Sequence, residues 1–328
     1  MFFNAGAPDN LFDNLRLWGL VPPAMAGLYF TALRRSRRWD GVISHWLVPS
    51  ALIAGWLPLG KKRHLATGHS GDVHMIRRSP FGNLLARAVI RSADKVGFVS
   101  EQLKSEFEDA LGPRLAAKNS TRLTVTPMGV DPECLVSRLE RGAVREKLGL
   151  DRFTVLFLGR LVPIKGADLL IEAMSGRQEM QLVVAGDGPQ REQLERAASE
   201  GGVNARFLGE VNQETRADLF AACDVLAVPS RELGDGRHEG IPLVVIEAMA
   251  AGLPVVAADT GAIGEIVKDG ETGLLASSNE QSALCDAISK IADDEALGQG
   301  LKSAGREAVR DRNWETLAGL FEELLFNP

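Results

Sequence analysis

Four groups of residues in this sequence have the types and spacing to handle an anionic, hydroxylated ligand. The first is Gly159-Arg160 followed by Lys165-Gly166. Two cations and two flexible glycines between a strand and a helix suit a pyrophosphate; the alternative is ordinary surface charge on a βα loop. The second is the pair Glu239 and Glu247, joined by EGIPLVVIEAMAAGLPVVA. Two carboxylates at one strand end can grip sugar hydroxyls; otherwise they are a capping acid and a solvated helix glutamate. The third is GDGP, with Gly186 and Gly188. It resembles half of a dinucleotide fingerprint, but lacks the third glycine and the later acidic residue. It reads as a tight turn that brings backbone close to a ligand or to a neighbouring loop. The fourth is His69 in TGHSGDVH, either a structural histidine at a strand end or a contact for a reacting sugar.

The elements that must position these groups centre on residues 224–259. Val225 to Val228 reads as a buried strand, Ser230 to Gly240 as a polar loop, and Pro242 as the first position of a helix that stops at Gly252. Leu253 to Ala258 is a second strand. The backbone N–H groups of that helix start, around Gly240, Ile241, Pro242 and Leu243, form an anion site. Strand and helix signals alternate elsewhere too. Strands are expected at 42–46, 64–67, 95–99, 123–126, 153–158, 181–185, 206–208 and 274–276. Helices are expected from near Pro49, and over 77–92, 100–110, 167–174, 190–199, 213–222, 280–292 and 314–325, with GHSGDVH as a loop. The segment 131–150 reads as a connection and a short helix ending at Gly149. Repeated βα units in two sets imply an α/β chain of two doubly wound parallel-sheet domains facing a cleft. The expected boundaries are 1–130, 131–310 and a C-terminal helix in 311–328 that crosses back.

Length and composition are those of a soluble globular chain of 328 residues, 45% hydrophobic and 24% charged. Its three cysteines are scattered, with no metal-ligand spacing, so a reducing cytoplasm fits and a structural zinc does not. The N-terminus lacks the pattern of a signal peptide. The net charge of −6 conceals an asymmetry: residues 1–130 carry 17 Lys/Arg against 9 Asp/Glu, and residues 131–328 carry 20 against 34. A basic first half suits a phospholipid surface or a pyrophosphate carrier, or is simply solvated charge. Its basic clusters lack interleaved aromatics, which argues against nucleic acid. The uncharged runs 17–33 and 41–60 read as soluble core rather than membrane spans. The first, followed by Arg34 to Arg38, could instead form an interfacial amphipathic helix.

The motifs GRLVPIKG, VVAGDGP, RFLGEV, EGIPLVVIEAMAAGLPVVA and DGETGLL occur in this order between about Trp39 and Trp314. As a set they resemble the retaining, nucleotide-sugar-dependent glycosyltransferases of the GT-B fold, family 4 (glycosyl transferases group 1). The resemblance implies roles. Arg160 and Lys165 hold the donor diphosphate and take up the charge that grows on it, so that neither metal nor cofactor is needed. Glu239 holds donor-sugar hydroxyls, Glu247 holds the ribose, and the loop Gly209, Glu210, Val211 takes the base. Gly159, Gly186 and Gly188 bring backbone close to the donor. His69 lines the sugar site from the other domain. It further implies a UDP- or GDP-sugar donor, and a glycan or lipid-linked acceptor reached from the cytoplasmic side of an anionic membrane. The oligomeric state is left open. Two departures stand out: the family's opening strand and Gly-rich loop have no match, so the N-terminal domain is expected to be incomplete, and Met128 stands in PMGVD where Asn is frequent. The rival expectation is therefore a nucleotide-sugar-binding module without catalysis.

Overall fold

The computed structural model describes residues 19–60, 62–234 and 236–327. It divides into two compact units. One runs through Phe98 and includes Leu103–Thr126 and the chain from Phe321; the other comprises Val99–Gln102 and Pro127–Leu320. The expectation that the N-terminal domain lacks its opening strand and Gly-rich loop concerns the start of the chain, and residues 1–18 lie outside the described residues.

The first unit holds a parallel sheet of four described strands in sequential order: β1 (Gly41–His45), β2 (Arg63–Gly68), β3 (Lys95–Phe98) and β4 (Leu123–Val125). Its connections differ from the sequence expectation in three places. GHSGDVH is not a loop: from Ser70 it is helical to Arg78. The helix expected over 77–92 is two helices, Ser70–Arg78 and Gly82–Ser92, broken at Ser79-Pro80-Phe81. Pro80 has no N–H to donate and disfavours helical backbone at the residue before it, and Ser79 is extended. Third, residues 21–36 form a helix whose apolar side chains are not core. Leu28 and Phe30 are exposed, and Ser36 is its one buried residue.

The second unit is a six-stranded parallel sheet of β5 (Phe153–Leu158), β6 (Met180–Ala185), β7 (Ala205–Gly209), β8 (Val225–Val228), β9 (Val255–Ala258) and β10 (Leu274–Ala276). Its order is β10-β9-β8-β5-β6-β7. Successive side chains on these strands enter opposite cores. Leu156, Leu226 and Val255 belong to one apolar cluster, and Val155, Val225 and Val256 to the other. Burial on both faces explains why the strands read as unbroken apolar runs. A helix over Glu295–Ala308 and a short one over Pro113–Lys118 went unread. Glycines at 298, 300 and 305 weaken the helical signal of the first, and Pro113 opens the second. Pro242 lies one position earlier than expected, as the extended residue before the helix Leu243–Ala251.

Candidate functional site

The strand order of the second unit reverses between β5 and β8. From β5 the chain steps outward to β6 and β7, then returns to lay β8 on the other flank of β5. Open parallel sheets bind ligands in the crevice outside the carboxyl ends of such a pair. Two loops leave that point, one after Leu158 and the other after Val228.

The loop after β5 carries Gly159, Arg160, a single 3-10 turn over Pro163–Lys165, and Gly166. Gly166 has φ +66, and a Cβ there would overlap the carbonyl oxygen of Pro229. The Arg231 N–H donates to the Ile164 carbonyl at 3.0 Å. The two switch-point loops are thus joined through backbone, which lays Lys165 against the second loop. Its Nζ lies 2.5 Å from Glu239 Oε1, and the Ser230 hydroxyl donates to Glu239 Oε2 at 2.5 Å. Both charged side chains are mostly buried, 18% and 15% exposed. Arg231 forms an ion pair with Asp168 on the helix that follows Gly166. Lys165 and Glu239, 74 residues apart in sequence, therefore form one charged pair at the switch point. Ser230, fully buried, is the polar partner that sequence reasoning missed. Its only signal was its place at the end of an apolar strand.

The GDGP turn packs on the same loop. Gly159 N–H donates to Ala185 carbonyl at 3.0 Å, Leu161 N–H to Asp187 carbonyl at 2.9 Å, and Gly186 N–H to Gly209 carbonyl at 2.7 Å. A Cβ on Gly188 would come within 2.5 Å of the Leu161 carbonyl oxygen. Of the two uses considered for this turn, the neighbouring loop is the one observed. Beyond Gly209, Glu210 is exposed and Val211 packs partly against the core.

Glu247 is neither solvated nor a cap. On the helix Leu243–Ala251 it is 7% exposed and its Oε1 accepts from Arg216 Nη1 at 2.7 Å. Burial raises its pKa, and the Arg216 guanidinium opposes that rise. Arg216, on the helix Gln213–Ala222, occupies one of the two Glu247 carboxylate oxygens. Nothing in local spacing announced it, because 31 residues separate the pair. At the helix start Ile241 and Pro242 are buried while Leu243 is 37% exposed. The first backbone N–H groups of any helix lack partners within it.

In the first unit His69 is the residue that precedes the helix Ser70–Arg78. Its Nε2 lies 3.3 Å from His45 Nδ1, at the end of β1, and its ring stacks obliquely near Trp46. Asp72, fully buried, accepts from the backbone N–H groups of His69 (2.7 Å), Val73 (3.0 Å) and Leu47. This bond set ties the carboxyl ends of β1 and β2 together. Burial pushes the Asp72 carboxyl up to about 7 against those three donors, and burial with the neighbouring His45 pulls the His69 imidazole down to about 4.

The two shifts act oppositely on stability. Asp72, raised when folded, contributes stability that is full below its unfolded value and is lost as pH rises towards 7. His69, depressed when folded, contributes stability that is lost as pH falls from 6.5 towards 4. Against the parent chain, His69→Gln is expected to gain stability as pH drops from 6.5 to 4. Asp72→Asn is expected to lose it, each by roughly 1–3 kcal/mol across the window. Urea midpoints at several pH values check this; slopes of the same sign in the two variants would refute it.

Among the described residues no group of three or more His, Cys, Asp or Glu side chains is arranged to hold a metal ion, and no helix is long and apolar enough to cross a membrane. Comparison with known proteins adds the family. The pattern of Glycosyl transferases group 1 matches residues 140–308, which contain the whole switch-point constellation.

The chain belongs to the Glycosyl transferases group 1 family.

A GDP-mannose-dependent alpha-(1-6)-phosphatidylinositol monomannoside mannosyltransferase of Mycolicibacterium smegmatis is 33% identical over 85% of this chain and 75% of its own length. A D-inositol 3-phosphate glycosyltransferase of Xylanimonas cellulosilytica is 32% identical over 95% of this chain and 78% of its own. HepE of Anabaena, solved in complex with UDP, superimposes with a TM-score of 0.77 at 22% identity, over 93% of this chain and 82% of that one. The fold is GT-B: two parallel-sheet α/β domains. This group 1 chain is a glycosyltransferase.

Proposed function

We propose that this glycosyltransferase moves a hexose, with retention and without a metal or other cofactor, from a nucleotide diphosphate sugar to a lipid-linked acceptor, with GDP-mannose as the first donor to test. The observation that supports it most is the Lys165–Glu239 pair, held with Ser230 at the β5/β8 switch point. An ammonium beside a carboxylate there serves both halves of such a donor: the cation faces diphosphate and the acid faces hydroxyls.

In this reading Arg160 and Lys165 neutralise the departing nucleotide, helped by the N–H groups near Leu243. Glu239 orients the hexose. Glu247, braced by Arg216, binds the ribose, and the loop Gly209 to Val211 meets the base. On the first unit His69 offers a neutral imidazole to a sugar hydroxyl. The bond from anomeric carbon to phosphate oxygen breaks as the acceptor oxygen bonds to the same face, and the leaving phosphate takes the acceptor proton. The choice of acceptor leans on the relatives, whose names share an inositol: a phosphatidylinositol mannoside in one and D-inositol 3-phosphate in the other.

The test is acceptor-dependent nucleotide release and product analysis with GDP-mannose and UDP-glucose, phosphatidylinositol vesicles and soluble inositol phosphates, with and without EDTA. Release that needs acceptor, survives EDTA and yields the donor's anomeric configuration is expected. Nucleotide binding by calorimetry without transfer to any of these acceptors would replace the proposal with a binding module.

A further inference from the structure

We infer that Trp46, on the first unit, is the platform on which a polyhydroxylated ring of the acceptor, a cyclitol or a hexose, stacks for transfer. This deepens the acceptor reading and rests on it for the transfer step alone. Trp46 follows β1 directly and has φ 75 and ψ 121. A positive φ is uncommon for any side chain and a true outlier for a bulky one, and this ψ lies outside even the small left-handed region. Glycine would take the same turn without steric cost. Such a conformation persists only where its surroundings over-determine it. Three backbone bonds do so here. Trp46 N–H donates to the Thr67 carbonyl at 2.9 Å, the Trp46 carbonyl accepts from Ala51 N–H at 3.2 Å, and Leu47 N–H donates to the buried Asp72 carboxyl.

The core does not need this indole. Leu47, the next residue, is fully buried and belongs to the core, whereas Trp46 is only partly covered. One edge of the indole lies over the start of the helix Ser70–Arg78, where a Cβ on Gly71 would come within 3.2 Å of the ring. The indole centroid is 6.1 Å from that of His69, with 36° between the planes, and His69 in turn meets His45, which is exposed. The indole N–H finds no hydrogen-bond partner among the described residues. The strained turn therefore sets one large ring beside two imidazoles at the carboxyl ends of β1 and β2, the end of a parallel sheet where ligands bind.

The chemistry of the rings selects the occupant. An indole presents an apolar face with one donor at its rim, which suits the C–H face of a cyclitol or pyranose and one of its hydroxyls. Burial lowers the pKa of both imidazoles, with His45 adding to the effect at His69, so both are neutral at pH 7. A neutral imidazole has one donor and one acceptor nitrogen, the complement of a hydroxyl. A phosphate clamp would instead present guanidinium or ammonium groups. In the proposed reaction Glu239 serves the donor hexose, which leaves Trp46 to the ring of the acceptor.

The test is steady-state transfer by the full chain from GDP-mannose to phosphatidylinositol vesicles, with tryptophan fluorescence followed on titration with myo-inositol and with mannose in the presence of GDP. Trp46→Ala and Trp46→Gly remove the same ring, but only alanine is strained at that φ. Both are expected to raise acceptor KM about tenfold, the scale of one aromatic contact, with donor KM within about twofold of the parent. The glycine variant is expected to withstand more urea than the alanine variant. Trp46→Phe should bring acceptor KM back to within about threefold of the parent, because a flat apolar ring is restored. A fluorescence change with myo-inositol that Trp46→Phe abolishes identifies a cyclitol; the same result with mannose identifies a hexose. Trp56→Phe should leave both acceptor KM and that change as in the parent. If the vesicles receive no mannose while either compound still gives the Trp46-dependent change, the lipid acceptor falls and the platform stands. Four results would each overturn the inference: acceptor KM within about twofold of the parent in both ring-deleted variants, an acceptor KM that follows urea stability across the variants, a rise confined to donor KM, or the absence of both transfer and a Trp46-dependent change.

Discussion

Lys165→Ala is expected to lower kcat/KM for the nucleotide sugar by about three orders of magnitude, near 4 kcal/mol of transition-state stabilisation. The reason is geometric. Lys165 Nζ lies at the mouth of the switch point, 2.5 Å from Glu239, with its side chain only 18% exposed. A cation in so dry a place acts on developing phosphate charge with little solvent screening. The variant also leaves Glu239 without its cation, though the Ser230 hydroxyl still donates to it. Part of the loss is therefore ground-state stability, and thermal unfolding of the free enzyme measures that part separately. Glu239→Gln keeps the shape and removes the charge, and should cost about tenfold to a hundredfold, mainly in kcat. Because the two groups touch, the double variant should cost clearly less than the product of the single losses. Activity of Lys165→Ala within tenfold of the parent, or strictly multiplicative losses, would remove this pair from the site.

Gly186→Ala should be the most damaging single-methyl change in the second unit, destabilising it by roughly 3–5 kcal/mol, or about 10 °C in Tm. Two costs add. Gly186 has φ +136, a region that side chains rarely adopt, and a Cβ there would overlap the Gly159 carbonyl oxygen. Relief requires moving the β5 loop, and with it Arg160 and Lys165. Gly176→Ala separates the two costs, because Gly176 has φ +76 and nothing within 4 Å of the added Cβ. That variant should lose only about 1 kcal/mol. Equal losses in the two variants, measured by chemical denaturation, would show that close approach between the loops contributes nothing.

The sheet of the second unit could be read from the chain because a parallel strand buried on both faces is written as an uninterrupted apolar run. VLFL, LVVA, VLAV and VVAA each mark their strand. Helix ends at Gly149 and Gly252 were legible for a similarly local reason. The charged candidates on the loops were legible from their residue types. Local pattern failed where a nearby residue pulled the other way. Ser70 to Arg78 was masked by Gly68 before it, Gly71 within it and a polar run, and Pro80 split a helix whose apolar spacing continued across it.

By itself the sequence determined the alternation of strands and helices, the loops that bear Arg160, Lys165 and Glu239, and the family to which those motifs belong. Only the tertiary structure decided that β8 lies beside β5, so that Lys165 meets Glu239 and Ser230, and that Arg216 braces Glu247. It also decided that Trp56, Phe81 and Leu84 face outward rather than into a core. The physical reason is one of range. Periodicity and turn chemistry act over a few residues and leave a mark in the local string. Strand order and the pairing of buried charges are settled by which distant surfaces exclude water together, and no short stretch of sequence records that.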